Sequence, residues 1–159
     1  MKEPLALTVN GHRHTIFCEP ETPLIYLLRN HLKLFGTRVG CGMGQCGVCT
    51  VLIDEVPIKA CLTPIEEATD RQITTVEGLA PEGTLHDLQQ SFVTEQAAQC
   101  GYCLSGLLIS SVALLSKNPT PTRAAIEEQL VGNLCRCGTH ARIVRAIERV
   151  ASTYDKAHE

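Results

Sequence analysis

The run from Gly40 to Thr50, GCGMGQCGVCT, sets Cys41, Cys46 and Cys49 at C-x4-C-x2-C spacing and threads Gly40, Gly42, Gly44 and Gly47 between them. A fourth cysteine, Cys61, follows the short apolar run TVLID. In this pattern a loop supplies three thiolates and a later segment the fourth, the spacing of a plant-type [2Fe–2S] site. A loop wrapped around an inorganic cluster needs positive backbone φ angles and amide N–H groups turned inward at sulfur, and glycine permits both. A disulfide knot has no such need for glycine, and a zinc knuckle uses paired short C-x2–4-C arms.

At 159 residues the chain has room for one domain of ordinary size or two small ones. A net charge of −3 offers no basic stripe, and 4% aromatics with no Trp offers no stacking platform, so a nucleic-acid partner is not expected. Nine cysteines, an odd number gathered in clusters, do not read as a disulfide framework. The start, MKEPLALTVNG, carries no apolar run long enough for a secretory signal, and no stretch is long enough to span a membrane. A cytoplasmic location keeps such thiols reduced and free to bind metal. The alternative is export, already folded, to the periplasm or membrane alongside a partner.

Residues 5–9 (LALTV) and 13–18 (RHTIFC) read as strands joined at Asn10-Gly11, a two-residue hairpin signal. Thr22-Pro23 reads as the start of a helix, Thr as cap and Pro at the first position, with Leu24, Leu27, Leu28 and Leu32 on one face and Gly36 as its end. After the cysteine loop come a strand at 50–53, a turn at Asp54–Pro57, a short helix at 64–69 and a strand at 72–76. The order is that of a β-grasp ferredoxin-like domain. Near Leu79–Thr84 the pattern turns helical, which sets expected domains of 1–78 and 79–159. Thr84 reads as a capping-box start for a helix to Glu95. Further helices are expected over 103–117, 122–131 and 140–153, a four-helix bundle, with a frayed tail from Asp155 to Glu159. In the second helix the small residues Ser105, Gly106, Ser110, Ser111 and Ala113 would admit another helix closely. The fold class is therefore α+β.

A second cysteine set lies in the helical half. Cys100 and Cys103 stand at C-x2-C before the long helix, and Cys135 and Cys137 at C-x-C between the last two helices. If the bundle folds back on itself, both pairs meet at one end, where helix N-termini favour thiolates. Four thiolates arriving as two pairs suit [2Fe–2S], structural zinc or disulfides, and spacing alone leaves the three open. Cys18 is left over and reads as a small packed hydrophobe. His12, His14, His31, His86 and His158 form no ligand spacing with one another, and His12 and His14 alternate on a strand as solvent-facing residues.

Taken together and in this order, GCGMGQCGVCTV, QCGYC and GNLCRCG resemble the small iron–sulfur subunit of the molybdenum hydroxylases, the xanthine dehydrogenase family. The resemblance runs from the Asn10-Gly11 hairpin to the last helix. It implies a ferredoxin-like domain with one [2Fe–2S] cluster on Cys41, Cys46, Cys49 and Cys61, and a four-helix domain with a second on Cys100, Cys103, Cys135 and Cys137. It implies a molybdenum–pterin cofactor on a large partner subunit, with Gln99 and Cys137 beside the pterin. A solvated amide at a helix end is the alternative for Gln99. Many members read C-R-C-T-G-Y where this chain reads Cys135-Arg136-Cys137-Gly138-Thr139-His140. That variant is similar to the isoquinoline, nicotinate and aldehyde dehydrogenase branch, parts of which use a c-type haem, on a cytochrome c domain, in place of an FAD subunit. His140 is then either a group that couples reduction to protonation or a helix-start residue partly in solvent.

The resulting expectation is an electron-transfer subunit of a complex that oxidises an N-heteroaromatic compound or an aldehyde, with no catalytic residue of its own. A free-standing two-cluster ferredoxin is the alternative. It would carry a strongly acidic docking surface, which a net charge of −3 does not supply, whereas the apolar, small-residue helical half suggests a large permanent interface. A redox-sensing regulator would need a basic recognition helix, and none is present.

Overall fold

Strands β1 (Leu5–Val9) and β2 (His12–Ile16) pair antiparallel, from Leu5 opposite Ile16 to Val9 opposite His12. Asn10 (φ 50°) and Gly11 (φ 80°) both take left-handed backbone, the turn that matches strand twist. The computed structural model describes residues 4–156, so His158 and the end of the expected frayed tail lie outside the described residues. A second hairpin joins β3 (Thr50–Ile53) to β4 (Val56–Lys59), turning on Asp54 and Glu55 with φ of 49° and 66°. This corrects the expected turn over Asp54–Pro57, since Pro57 lies inside a strand. β4 is the sheet's edge, where a missing N–H costs no ladder bond.

With β5 (Gln72–Thr74) the sheet order is β2-β1-β5-β3-β4, parallel between β1 and β5 and antiparallel elsewhere. One face is covered by α1 (Leu24–Tyr26), which runs on into a wider turn over Leu27–His31, and by a 3-10 turn at Ile65–Ala68. Leu24, Leu27, Leu28, Val51, Ile53, Ile65 and Ile73 form the core beneath, and Cys18, past the end of β2, packs against it. Thr22 is not the cap: Pro23 precedes the helix in extended backbone with no side-chain bond. Left-handed Lys33 (φ 58°), not Gly36, follows the last turn. His12 is exposed as expected, while His14 is half-buried.

The second half is a bundle of α2 (Asp87–Thr94), α3 (Leu104–Lys117), α4 (Arg123–Leu130) and α5 (His140–Lys156). Leu88, Phe92, Leu107, Leu115, Ile126, Ile143 and Ile147 meet in its core. The cap of α2 is His86 rather than Thr84: its Nδ1 accepts from the Leu88 amide at 3.1 Å while Gln89 Oε1 accepts from the His86 amide at 2.8 Å. The capping box is real but two residues later, because the imidazole acceptor stands in for the usual hydroxyl or amide oxygen.

α3 joins the halves. Of its small residues, Ser105, Gly106 and Ala113 meet the sheet half, where their spacing suggests a neighbouring helix. Ile109 and Ala113 pack on Leu52, the β3 residue that points away from the first core, so β3 is buried on both faces and all its residues are covered. A Cβ at Gly106 would strike the carbonyl oxygen of Gly47. This face of α3 is thus covered within the chain, while Leu85, Val93, Val131 and Leu134 leave apolar surface exposed elsewhere on the helical half. Among the described residues no helix is long and apolar enough to cross a membrane.

Candidate metal centres

The cysteine loop brings Cys41 and Cys46 together by backbone-to-sulfur bonds. The Cys41 amide donates to Cys46 Sγ at 3.3 Å, and the Met43 and Cys46 amides donate to Cys41 Sγ at 3.4 Å each. The loop must pass close over Cys46 to do this. A Cβ on Gly40 would lie 2.6 Å from the Cys46 sulfur, so no larger residue fits there. Cys49, at the end of the loop, is buried and interacts with the Cys61 thiol, which β4 delivers from the adjacent strand. The four thiols therefore meet as two pairs, Cys41 with Cys46 and Cys49 with Cys61.

The helical half repeats the scheme. Cys100 and Cys137 stand with their sulfurs 3.4 Å apart on an exposed edge, while Cys103, directly before α3, and buried Cys135 pair inside it. Exposed Gln99 adjoins Cys100, on the same edge as Cys137.

The electrostatics divide each set. Amides of Cys46 and Met43, with the Cys46 thiol, lower the Cys41 pKa to about 6. Burial pushes Cys49 up to about 12. In the second set the Tyr102 amide and the Cys137 thiol lower Cys100, and burial raises Cys103 to about 12. Burial also opposes the charge on Cys135, but hydrogen bonds from the Thr139 hydroxyl and amide, the Cys103 thiol and the Cys137 amide outweigh it and bring the group to about 7. Amides aimed at sulfur and a two-and-two pairing fit a binuclear cluster, in which each iron takes two protein thiolates.

The two sets lie against each other. The Leu134 amide donates to the Cys46 carbonyl at 2.9 Å, and buried Asn133 Nδ2 donates to the Gly47 carbonyl at 3.2 Å. Lys59 Nζ reaches the Gly132 carbonyl at 3.1 Å. On the other side Arg38 donates to the Gly101 carbonyl and Tyr102 to the Val39 carbonyl, each at 2.6 Å, with the guanidinium over the Tyr102 ring.

Comparison with known proteins agrees with this geometry. Residues 7–80 match the 2Fe-2S iron–sulfur cluster binding domain and residues 75–148 the [2Fe-2S] binding domain. A nicotinate dehydrogenase subunit from Pseudomonas putida is 47% identical over 98% of this chain and 99% of its own length. The chain belongs to the small [2Fe–2S] subunits of the molybdenum hydroxylases. A second member of this family, the alpha subunit of isoquinoline 1-oxidoreductase from Brevundimonas diminuta, is 46% identical over 90% of this chain and 94% of its own. The crystal structure of quinoline 2-oxidoreductase from Pseudomonas putida contains a chain that superposes with a TM-score of 0.91 at 39% identity, covering 98% of this chain and 97% of that one.

The spacing singles out the cysteines and gives no role to the residues between them. Asn133 and Leu134 sit inside the GNLCRCG string, and Lys59 sits two residues before Cys61. An amide residue in a cysteine loop is a usable signal, but its carbonyl partner 86 residues away is not readable from order alone. His140 starts α5, half-buried, with Nε2 3.3 Å from the Asn133 carbonyl rather than against a cysteine sulfur.

Proposed function

We propose that this chain is the electron-transfer subunit of a molybdenum-dependent hydroxylase, holding one [2Fe–2S] cluster on Cys41, Cys46, Cys49 and Cys61 and another on Cys100, Cys103, Cys135 and Cys137. Each cluster, when bound, supplies one-electron chemistry. The observation that carries the reading is that both sets are paired two and two and that their loops touch through the Leu134–Cys46 bond. Amides and hydroxyls of the chain stabilise charge on the sulfurs, and α3 fixes the distance between the two sets.

The exposed Gln99, Cys100 and Cys137 edge would face the molybdenum–pterin cofactor on a large partner subunit. The ferredoxin-like half would hand electrons to an FAD subunit or a c-type haem. An N-heteroaromatic compound or an aldehyde is the substrate class of the complex, supported by relatives named for nicotinate, isoquinoline and quinoline. The domains divide at Gly78–Leu79, a division supported by the two separate cores, although Val76 and Leu79 lean on the helical one. Substrate chemistry is assigned to the partner subunit.

The test is metal analysis of the complex that co-purifies with this chain from its host. One molybdenum per about four non-haem irons is expected from two [2Fe–2S] clusters. Iron without molybdenum or a large partner would leave the free-standing ferredoxin, and zinc in place of half the iron would overturn the assignment in the helical half.

A further inference from the structure

Two threonines precede helices in the bundle and use their hydroxyls differently. Thr122, before α4, accepts from the Ala125 amide at 3.3 Å, the ordinary capping bond. Thr139, before α5, starts its helix through the backbone: its carbonyl accepts from the Arg142 and Ile143 amides at 2.9 and 3.1 Å. Its hydroxyl instead lies 3.3 Å from the Cys135 sulfur, and both residues are buried. Gly138, at φ 73°, makes the turn that doubles the chain back so that Thr139 can reach a cysteine four residues earlier.

We propose that the Thr139 hydroxyl is a positioning residue for electron transfer, acting through Cys135 to hold up the reduction potential of the helical-half cluster. The inference rests on Cys135 being a ligand, as assigned above. A metal-bound thiolate carries no proton, so of the two groups the hydroxyl must be the donor. A donor to a ligand sulfur stabilises the more negative, reduced cluster and so raises its potential. Burial strengthens that bond, since little water competes for either atom. The donors to Cys41 and Cys46 in the other set are backbone amides, which no side-chain substitution removes. Thr139 instead places a side-chain hydroxyl on a sulfur of the helical-half set, a contact that substitution can remove.

The experiment uses the purified complex with Thr139→Val, Thr139→Ala and Thr139→Ser. Iron content is measured first, then each cluster's midpoint potential by redox titration followed by electron paramagnetic resonance. The helical-half signal is assigned as the one that survives Cys49→Ala. Thr139→Val is expected to keep its iron and to lower the helical-half potential by about tenfold in the reduction equilibrium, roughly 59 mV for one electron. Thr139→Ser restores it, and the other cluster does not move. Full iron with both potentials at their wild-type values in Val or Ala would overturn the proposal. So would loss of the cluster in Val and Ala with retention in Ser, which would make the hydroxyl an assembly group. Wild-type complex with zinc in the helical half would overturn the ligand assignment itself, a distinct failure visible before any potential is read.

Discussion

The amide of Leu134 donates to the carbonyl oxygen of Cys46 at 2.9 Å. Cys46 is a ligand of the first proposed cluster, and Leu134 precedes Cys135, a ligand of the second. The shortest bonded connection between the two sets thus crosses one hydrogen bond. Around it Asn133 donates to the Gly47 carbonyl, and Lys59 ties the Gly132 carbonyl to β4. The loop that carries one set is clamped by the loop that carries the other.

Asn133→Ala tests the clamp. The Gly47 carbonyl keeps its bonds from the Thr50 hydroxyl and amide, so the loss is one buried hydrogen bond among three, a cost of about 1 kcal/mol. Asn133→Asp is expected to cost more, because it sets a carboxylate against a carbonyl with no donor between them. Denaturation of the holo-protein measures both, and dipolar broadening between the two reduced clusters should weaken if the loops separate. Equal stability of the Ala and Asp variants would contradict the contact.

Gly106→Ala tests how closely α3 approaches the cysteine loop. The added methyl meets the Gly47 carbonyl, a backbone atom that cannot rotate away. Overpacking of this kind costs about 1–3 kcal/mol, and here it pushes directly on the loop between Cys46 and Cys49. A lower thermal midpoint accompanied by iron loss from the ferredoxin-like half is expected. An unchanged protein would mean that the halves are less tightly joined than the structure has them.

Removing one ligand per set should separate the clusters. Cys49→Ala and Cys103→Ala each delete a thiol that burial holds protonated without metal, and each is expected to reduce iron from about four to about two per chain. Iron and sulfide assays read this directly. Retention of all four irons in either variant would remove that cysteine from the ligand set.

The chain's legibility follows the kind of signal each residue gives. Asn10-Gly11 announces its hairpin, because both residues tolerate the left-handed backbone that turn needs. Pro57 misleads, since proline in a strand is acceptable at a sheet edge and edge position is not visible in order alone. His86 gives no cap signal because imidazole is an uncommon cap. The small residues of α3 correctly signal close approach but not to what: Gly106 meets a loop 59 positions earlier, and only the folded arrangement names it. The spacing of the cysteines suggests two ligand sets, yet their two-and-two pairing depends on where β4 and the 131–134 loop arrive.

Asp54 gives a pH prediction in the sheet half. The Arg71 side chain and the Gln72 amide bond its two oxygens and hold its carboxyl below the usual range. A carboxylate with a depressed folded pKa adds stability above its unfolded pKa, and that contribution fades as pH falls through the folded value. Asp54→Asn should therefore be less stable than wild type at neutral pH, with the gap closing in acid. Denaturation midpoints at several pH values decide it; a gap that stays constant would mean the turn matters and the charge does not.

The apo-protein offers the sharpest separation of thiols. Cys41, drawn down to about 6 by the Cys46 and Met43 amides, is mostly thiolate at pH 7, whereas Cys49 and Cys103, pushed up to about 12 by burial, are not. Thiolate is the reactive form, so its fraction at Cys41 rises as pH rises through about 6 and is nearly complete at neutral pH. Iodoacetamide labelling of metal-free chain, read by peptide mass, is expected to modify Cys41 well before Cys49 and Cys103, with a rate that levels off above its inflection near pH 6. A rate still climbing at pH 8, as for an ordinary thiol, would mean that the loop amides do not point at the sulfur until iron draws them in. The folded loop would then be a product of metal binding rather than a site ready for it.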